Sequence, residues 1–214
     1  IEDFLEECKQ LAASELEASV EDLEYHQGNF QVKGTRVGIG IFDLCSRQSD
    51  NSISVKRKKE LTGRSWPNGC HVAEVEIDAE TGEVRLDRYV SVDDVGNTVN
   101  PMIVHGQVQG GIASGLGQAV LERTEYDASG QLLSGSYMDY ALPRADDMPS
   151  LSGSLFEKAP CLTNPLGAKG TGEIGAVAGP PAIVHAVIDA LEEKGITQVD
   201  MPLQPQKIWE CLNR

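Results

Sequence analysis

The stretch from Asn164 to Gly175, NPLGAKGTGEIG, constrains the fold most because it places four glycines within nine residues. A glycine backbone can adopt positive φ and lie close to another molecule, since it carries no Cβ atom. One carboxylate, Glu173, lies among these glycines, and an apolar segment follows from Pro180-Pro181. Proline is accepted in the first turn of a helix, so we expect a helix to begin at this proline pair. A carboxylate on a glycine loop braced by a buried helix is a suitable catalytic base, and the alternative interpretation is a solvent-facing loop acid.

Residues 170–175 also match the dinucleotide-binding pattern G-x-G-x-x-G. The true fingerprint follows a strand and leads directly into a helix, with an acidic residue about 20 positions further on. Here the preceding residues are predicted to form a loop, and the two prolines delay the helix. A nucleotide-dependent dehydrogenase is therefore an alternative function that this pattern supports only weakly.

The charge balance excludes whole classes of partner. The chain has 18 basic and 33 acidic residues among 214, for a net charge of −15. Nucleic acids and acidic membrane surfaces would be repelled by such a chain. No apolar run approaches the ~20 residues needed to span a bilayer, and no secretory signal pattern is present. These features predict neither a nucleic-acid partner nor a membrane span.

The cysteines are odd in number and widely spaced, and no C-x-x-C pair occurs: Cys8, Cys45, Cys70, Cys161 and Cys211. This pattern argues against a disulfide framework and against an iron–sulfur or zinc site. It predicts buried free thiols in a reducing compartment, and hence a cytoplasmic protein.

Hydrophobic periodicity predicts a mixture of helices and hairpins. The predicted helices cover residues 1–16, 41–45, 182–191 and 205–212. The predicted hairpins pair 23–26 with 30–33, 70–78 with 83–92, and 124–126 with 131–133, and a further strand covers 154–157. The basic run at 56–59 is predicted to be a solvated loop or a contact with a neighbouring subunit. Asp93-Asp94 is predicted to form a turn at a strand end, which is preferred over a metal site.

A second glycine-rich segment, residues 101–122, has helical periodicity but contains five glycines. Each glycine costs ~1 kcal/mol in an ordinary helix, so something must repay that cost. We expect the small residues to let this helix press closely against backbone or against a ligand. Gln107 and Gln109 point in nearly opposite directions, so at most one faces a site, where its amide would suit a heterocyclic ligand.

The four histidines are predicted to be structural: His26, His71, His105 and His185. His26 and His71 lie in strand-like segments without evident ligand partners, and His185 belongs to a solvated helix face. Lys169 precedes Glu173 by four residues, and it either pairs with Glu173 or holds the loop.

Three segments together resemble one protein family. They are residues 83–96 with 100–101 and 106–111, then GSYMDYALP at 135–143, then GAKGTGE at 167–173. Their order and spacing are similar to the molybdopterin-binding large subunit of the xanthine dehydrogenase / aldehyde oxidase family. Within that family, these sequence motifs are most similar to those of the large chain of aerobic carbon monoxide dehydrogenase and its relatives. The resemblance covers nearly the whole chain.

The resemblance implies an α+β fold, a molybdenum-cofactor-binding domain built of antiparallel hairpins with packed helices. Residues 1–214 would be the C-terminal portion of that domain, with a division into lobes 1–65 and 66–214. Glu173 corresponds to the family's catalytic glutamate, which accepts a proton beside the molybdenum. The implied cofactor-binding residues are Gly106, Gln107, Lys169, Gly170, Thr171 and Gly172. No residue of this chain is expected to ligate a metal directly.

The resemblance also implies partners and a reaction. The cofactor is a molybdenum–molybdopterin, in the cytosine dinucleotide form, bound only together with the upstream part of the subunit. FAD and [2Fe-2S] groups lie on partner subunits or domains, and the intact enzyme is oligomeric. The reaction is the oxidative hydroxylation of an aldehyde, an N-heterocycle or a CO-like substrate, and the isolated chain is expected to be inactive. None of the five cysteines occupies the family's copper-binding motif. The alternative is a folded fragment or interaction module that binds no cofactor by itself.

Overall fold

A computed structural model describes residues 1–58, 60 and 63–213. The chain divides into two compact units, Ile1–Glu60 and Leu61–Arg214. Over the described residues, none of the helices combines the length and apolar character that crossing a bilayer requires.

The first unit packs two helices with a small antiparallel sheet. Its elements are α1 (Glu2–Glu15), β1 (Leu23–His26), β2 (Asn29–Val32), β3 (Gly38–Gly40) and α2 (Ile41–Ser46), with a short 3-10 turn at Val20–Asp22. The sheet order is β1-β2-β3. Cys8, Phe30 and Leu44 are fully buried at its centre. The predicted first helix, first hairpin and second helix are confirmed.

The basic run after α2 lies on the surface of this unit where it is described. Lys56, Arg57 and Lys58 are exposed, and Arg57 Nε lies 3.3 Å from Asp3 Oδ2. This exposure agrees with both predicted interpretations, a solvated loop and a contact with a neighbouring subunit, and Lys59 lies outside the described residues.

The second unit holds a three-stranded sheet and the two glycine-rich segments. Its elements are β4 (Asn68–Ile77), β5 (Val84–Asp94), α3 (Pro101–Leu116), β6 (Leu151–Leu155), α4 (Ile174–Ala190) and α5 (Pro205–Leu212). A π-type turn at Gly117–Leu121 extends α3. The main core lies between the sheet, α3, α4 and α5. The predicted α+β fold is confirmed, with α5 on the predicted residues.

The strands differ from the sequence prediction in two places: the strand predicted at 154–157 lies at Leu151–Leu155, and one predicted hairpin is incomplete. β6 lies parallel to β5, because the segment between them includes α3 and so forms the long crossover that a parallel pair needs. The hairpin predicted after α3 is reduced to one bridge between Tyr126 and Leu132. There the Asp127 carboxylate accepts hydrogen bonds from the Ser129 and Gln131 amides, so the turn forms although the strands do not.

The helix after the glycine loop begins earlier than predicted. α4 starts at Ile174, and Pro180 and Pro181 lie inside it, so the prediction of a start at the proline pair is wrong. Each proline removes one backbone hydrogen bond to the residue four positions earlier. Those acceptors belong to Ala176 and Val177, which are exposed, so water can replace the lost donors.

Glycines allow α3 and α4 to pack with their backbones in contact. A Cβ atom added to Gly111 would lie 2.8 Å from Gly175 Cα and 2.8 Å from the Ala176 nitrogen. One turn further on, a Cβ at Gly115 would lie 3.1 Å from Gly179 Cα. This close packing offsets the helix stability that the glycines lose. It confirms the expectation that small residues let this helix pack closely against backbone.

We predict that Gly111→Ala destabilises the second unit while Gly110→Ala does not. The alanine methyl at 111 must displace the α4 backbone, and such overpacking costs about 1–3 kcal/mol. At Gly110, no described atom lies within 4 Å of the added Cβ, so alanine should be neutral or stabilising by up to ~1 kcal/mol. Urea unfolding of the two variants measures the difference. Equal stability of the two would contradict a backbone contact at Gly111.

Candidate functional site

The glycine loop is held against the end of β5 by main-chain and side-chain bonds. The Lys169 amide donates to the Val95 carbonyl at 2.7 Å, and the Asn97 amide donates to the Gly167 carbonyl at 2.9 Å. Gly96 and Ala168 form an isolated antiparallel bridge. These bonds therefore hold the loop to the end of the sheet as far as Lys169.

Asn164 fixes the loop from within. Its side-chain amide donates to the Ala168 carbonyl at 2.9 Å, and its oxygen accepts from the Ala168 amide at 3.3 Å. Gly167 has a φ of +67°, a conformation that favours glycine. The sequence analysis missed Asn164, although asparagine ahead of a glycine turn is a recognised local signal.

Glu173 is the residue immediately before α4, with φ −111° and ψ −8°. Its side chain is exposed, and within the described part of the chain no hydrogen bond or ion pair engages its carboxylate. It lies beside a cavity of about 380 Å³. Trp66 and Val177, which are 69% and 70% exposed, form part of the cavity's apolar wall. The arrangement leaves a carboxylate free to meet another molecule.

Gln107 lies on α3 one turn before Gly111 and faces the glycine loop. A Cβ added to Gly172 would lie 3.8 Å from Gln107 Nε2. Gln107, Lys169 and Thr171 line a second cavity, of about 280 Å³, whereas Gln109 does not. The expectation that one of the two glutamines faces a site is thus met by Gln107.

The remaining predicted cofactor-binding positions leave open space. At Gly106 and Gly170, a built Cβ would meet no described atom within 4 Å. The structure therefore brings Gln107, Lys169, Thr171 and Gly172 together and leaves the backbone of the other two accessible. Cofactor contact at these six positions stays a prediction.

Lys169 holds the loop and does not pair with Glu173. Its ammonium lies 2.5 Å from Asp94 Oδ2, and the two side chains are 11% and 12% exposed. Burial alone would raise the pKa of Asp94, but hydrogen bonds from Lys169 and from the Gly96 amide outweigh it and hold that pKa below its ordinary value. Of the two interpretations of Lys169, the loop-holding one is confirmed.

Asp93 and Asp94 are the last two residues of β5, and the Asp94 carboxylate accepts from the Gly96 amide at 2.9 Å, so the turn predicted at this strand end begins at Asp94 while Asp93 still belongs to the strand. The strand continues because Asn68 and Gly69 of β4 extend the pairing opposite them. Asp93 is buried against His71, with His71 Nε2 and Asp93 Oδ1 2.9 Å apart, so His71 is a hydrogen-bonded structural histidine, in agreement with its predicted role. The alternation of Tyr89, Ser91 and Asp93 on one strand face was the signal that could have placed Asp93 inside.

No metal cluster occurs in the described ranges, since no three His, Cys, Asp or Glu residues lie close enough to hold an ion. The five cysteines carry free thiols, and Cys8, Cys161 and Cys211 are buried. The expectation of buried thiols is met by these three, whereas Cys45 is half-buried and Cys70 is exposed.

Comparison with known proteins places the chain in a family. The sequence model for the molybdopterin cofactor-binding domain matches residues 1–149. The gamma subunit of the 6-hydroxypseudooxynicotine dehydrogenase complex of Paenarthrobacter nicotinovorans is 33% identical over 214 residues, covering 96% of this chain and 27% of the relative. The carbon monoxide dehydrogenase large chain of Hydrogenophaga pseudoflava is 30% identical, covering 96% of this chain and 26% of the relative.

Solved structures agree with this assignment. Reconstituted CO dehydrogenase from Oligotropha carboxidovorans superposes with a TM-score of 0.81 at 28% identity, covering 98% of this chain and 27% of that chain. Quinoline 2-oxidoreductase from Pseudomonas putida 86 gives a TM-score of 0.76 at 33% identity, covering 98% and 28%.

The chain belongs to the molybdopterin cofactor-binding domain family. Its relatives include the large chains of carbon monoxide dehydrogenases, so the resemblance stated from the sequence is confirmed. The chain spans about a quarter of the length of these relatives. Glu173 and its loop lie outside the residues matched by the family's sequence model.

We predict that Lys169→Met lowers the free energy of unfolding by about 1–3 kcal/mol near pH 7, because it removes a charged hydrogen bond to a nearly buried carboxylate. Asp94, whose pKa is depressed, contributes stability that is complete above its ordinary value of 3.8 and is lost as the pH falls through its folded value. In the variant, the Gly96 amide is the remaining hydrogen-bond donor to Asp94 among the described residues. The difference from the unsubstituted chain should therefore be larger near pH 7 than near pH 4.

Denaturant unfolding at the two pH values measures this difference. The matched control is Lys194→Met, at an exposed position, which should change stability by less than about 0.5 kcal/mol. A loss that is equal for both lysines, or that grows as the pH falls, would contradict the Asp94 pair.

Proposed function

We propose that this chain is the part of a molybdenum hydroxylase large subunit that supplies a catalytic base, Glu173, and part of the molybdopterin cradle. The observation that carries the proposal is the close packing of α3 on α4. It sets the Gln107 amide beside Gly172, and Gly172 directly precedes Glu173. A neutral hydrogen-bonding group thus lies beside the residue that precedes a free carboxylate, with the two side chains lining separate cavities.

The residues present fit a pterin. The cavity beside Gln107 offers an amide and the Thr171 hydroxyl, together with largely apolar walls. An amide both donates and accepts hydrogen bonds without adding charge, which suits a heterocycle that carries both kinds of group. Gly170 leaves its backbone open for a close approach. We propose that Gly106, Gln107, Lys169, Gly170, Thr171 and Gly172 form this chain's share of the cradle.

The bound molybdenum–molybdopterin would supply the redox centre that receives electrons from the substrate. Glu173 would accept a proton on a carboxylate oxygen during that step, as a general base does. Glu173 is exposed in this unit. In the complete enzyme, the apolar wall at Trp66 and Val177, together with the remainder of the subunit, would exclude water from its carboxylate. Lys169 would hold the loop through Asp94, so that the carboxylate stays in place.

For the complete enzyme we propose the substrates and partners that the family resemblance implies. The substrate would be an aldehyde, an N-heterocycle or a CO-like molecule, and two relatives are named for quinoline and carbon monoxide. The cofactor would be the cytosine dinucleotide form, with the N-terminal remainder of the subunit completing its site. FAD and [2Fe-2S] groups on partner subunits would carry the electrons away.

The alternative is a folded fragment or interaction module without a cofactor. The chain's share of its relatives' length, about a quarter, is compatible with that interpretation. Molybdenum analysis of the full-length protein that carries this chain separates the two. Stoichiometric molybdenum supports the hydroxylase, and its absence from correctly folded, cofactor-supplied protein supports the module.

We predict that Glu173→Gln in the full-length enzyme slows reduction of molybdenum by substrate at least about a hundredfold, since general-base catalysis contributes 10²–10⁴-fold. The substitution keeps the shape of the side chain, so molybdenum content should be unchanged. Single-turnover reduction kinetics measure the effect before electrons reach a partner. Glu193→Gln, at an exposed acid beyond α4, is the control. Near-normal reduction by fully loaded Glu173→Gln enzyme would contradict the assignment of Glu173 as the catalytic base.

A separate prediction concerns cofactor retention. Gln107→Ala removes an amide contact of about 0.5–1.5 kcal/mol, so the cofactor should dissociate about two- to tenfold more readily. The rate per bound molybdenum should change little. Gln109→Ala, two residues away and outside the cavity, should leave retention unchanged. Full occupancy with a collapsed rate per molybdenum would instead assign Gln107 to the chemistry.

A further inference from the structure

His71 lies at the centre of a buried polar chain beside the Glu173 cavity. Its Nδ1 is 2.9 Å from the Tyr89 hydroxyl, and its Nε2 is 2.9 Å from Asp93 Oδ1. The Ser91 hydroxyl donates to the other Asp93 oxygen at 2.9 Å. The side chains of His71 and Asp93 are only 2% and 1% exposed. Four polar groups are thus removed from water and satisfy one another.

Counting donors and acceptors gives the direction of each hydrogen bond in this network. Burial and the nearby Asp93 charge raise the pKa of Tyr89 far above its ordinary value, so its phenol keeps the proton. That buried O–H needs an acceptor, and within the described residues His71 Nδ1 is the one in reach. Nδ1 then carries no hydrogen, so Nε2 carries it and donates to Asp93. The hydrogen bonds therefore run from Tyr89 to His71 to Asp93, and Asp93 also accepts from Ser91.

This arrangement uses both ring nitrogens of His71. His71 is also among the residues that line the cavity of Glu173, Ile174 and Val177, and because its side chain is only 2% exposed, the imidazole lies behind the cavity surface. It packs edge-to-face on Tyr89, with ring centroids 5.6 Å apart. A ring fixed in this way has no free nitrogen to act as base or ligand, but it holds the end of β4 that borders the cavity in one orientation.

The same strand end holds the other side of the site. Asp93 and Asp94 are neighbours on β5, so their side chains point to opposite faces. Asp93 accepts from His71 of β4, and Asp94 pairs with Lys169 of the glycine loop. The end of β5 therefore holds both the strand that borders the cavity and the loop that leads to Glu173.

We propose that His71 is a positioning residue of the Glu173 site, locked as its Nε2–H tautomer between Tyr89 and Asp93. It acts by fixing β4, on which α4 packs, and so the placement of the Glu173 carboxylate at the start of that helix. The tautomer stands independently of the reaction, whereas the effect on rate rests on the function proposed for Glu173.

Nitrogen-15 NMR of the 214-residue chain tests the lock. The His71 ring should show a protonated Nε2 and an unprotonated, hydrogen-bonded Nδ1, together with a slowly exchanging Nε2–H signal. In Tyr89→Phe, the Nδ1 signal should move to the position of a nitrogen without a hydrogen bond, while Nε2 stays protonated. The exposed His185 serves as an internal control that exchanges between tautomers. A protonated Nδ1 in the unsubstituted chain, or an Nδ1 signal insensitive to Tyr89→Phe, would overturn the proposal.

A double-mutant cycle in the full-length, molybdenum-loaded enzyme tests the positioning. His71→Gln should slow reduction of molybdenum about 10- to 100-fold, the range that a misplacement of about 1 Å can cause, with molybdenum content unchanged. In a Glu173→Gln background it should cause no further loss, because it acts through the same carboxylate. His185→Gln should have no effect in either background. Additive losses would show that His71 acts only on general structure and would overturn the positioning role.

Two outcomes keep this inference separate from the proposed function. If His71→Gln prevents folding, Tyr89→Phe replaces it in the cycle, since it removes only the hydroxyl and should give a smaller, equally non-additive loss. If Glu173→Gln reacts at a normal rate, the proposed base is wrong and the positioning role falls with it. The tautomer measured by NMR then still decides whether His71 is locked.

Discussion

The contact between the backbones of α3 and α4 is the constraint on which the candidate site depends. Gly111 lies against Gly175 and Gly115 lies against Gly179 so closely that a Cβ atom on either α3 glycine would require the neighbouring atoms to shift. Small residues at such contacts lose helical stability individually and regain it through the close packing that they permit. Gln107 lies one turn before this contact on α3, and Glu173 lies two residues before it, immediately ahead of α4. The proximity of the Gln107 amide to Gly172, the residue before Glu173, therefore follows from this backbone packing.

The end of β5 supplies the second fixed point. Its alternation turns Asp93 toward the interior and Asp94 toward the glycine loop, and each carboxylate finds a different partner. Buried carboxylates are costly unless hydrogen-bonded, so the two partners together make this strand end a rigid junction. The Val95 carbonyl and the Gly96 bridge add main-chain bonds to the same loop. Charge, hydrogen bonding and strand geometry thus converge on the few residues that precede Glu173.

Local patterns predicted much of the fold because the information lay within a few residues. Alternation located the hairpin of β4 and β5, and helical spacing located α1 and α5 within a residue or two. The start of α4 was not predictable from its prolines, because the packing of Gly175 on α3 outweighs the local preference for proline at a first turn. The partners of His71 and Lys169 were also invisible, since Asp93 and Asp94 lie 22 and 75 residues away in sequence. The candidate site was found through its motif, whereas its supporting contacts required the fold.

The proline pair inside α4 divides that helix mechanically. Two consecutive rungs of the hydrogen-bond ladder are missing at Ala176 and Val177, so the six residues from Ile174 to Gly179 are joined to the C-terminal half by a weakened ladder. Their order derives mainly from the neighbouring helix and the loop before them. The amides of this segment should accordingly exchange with solvent as one cooperative unit with α3, and not with the remainder of their own helix. The boundary between two foldons would then run through a single continuous helix, with Glu173 at the outer end of the one shared with α3.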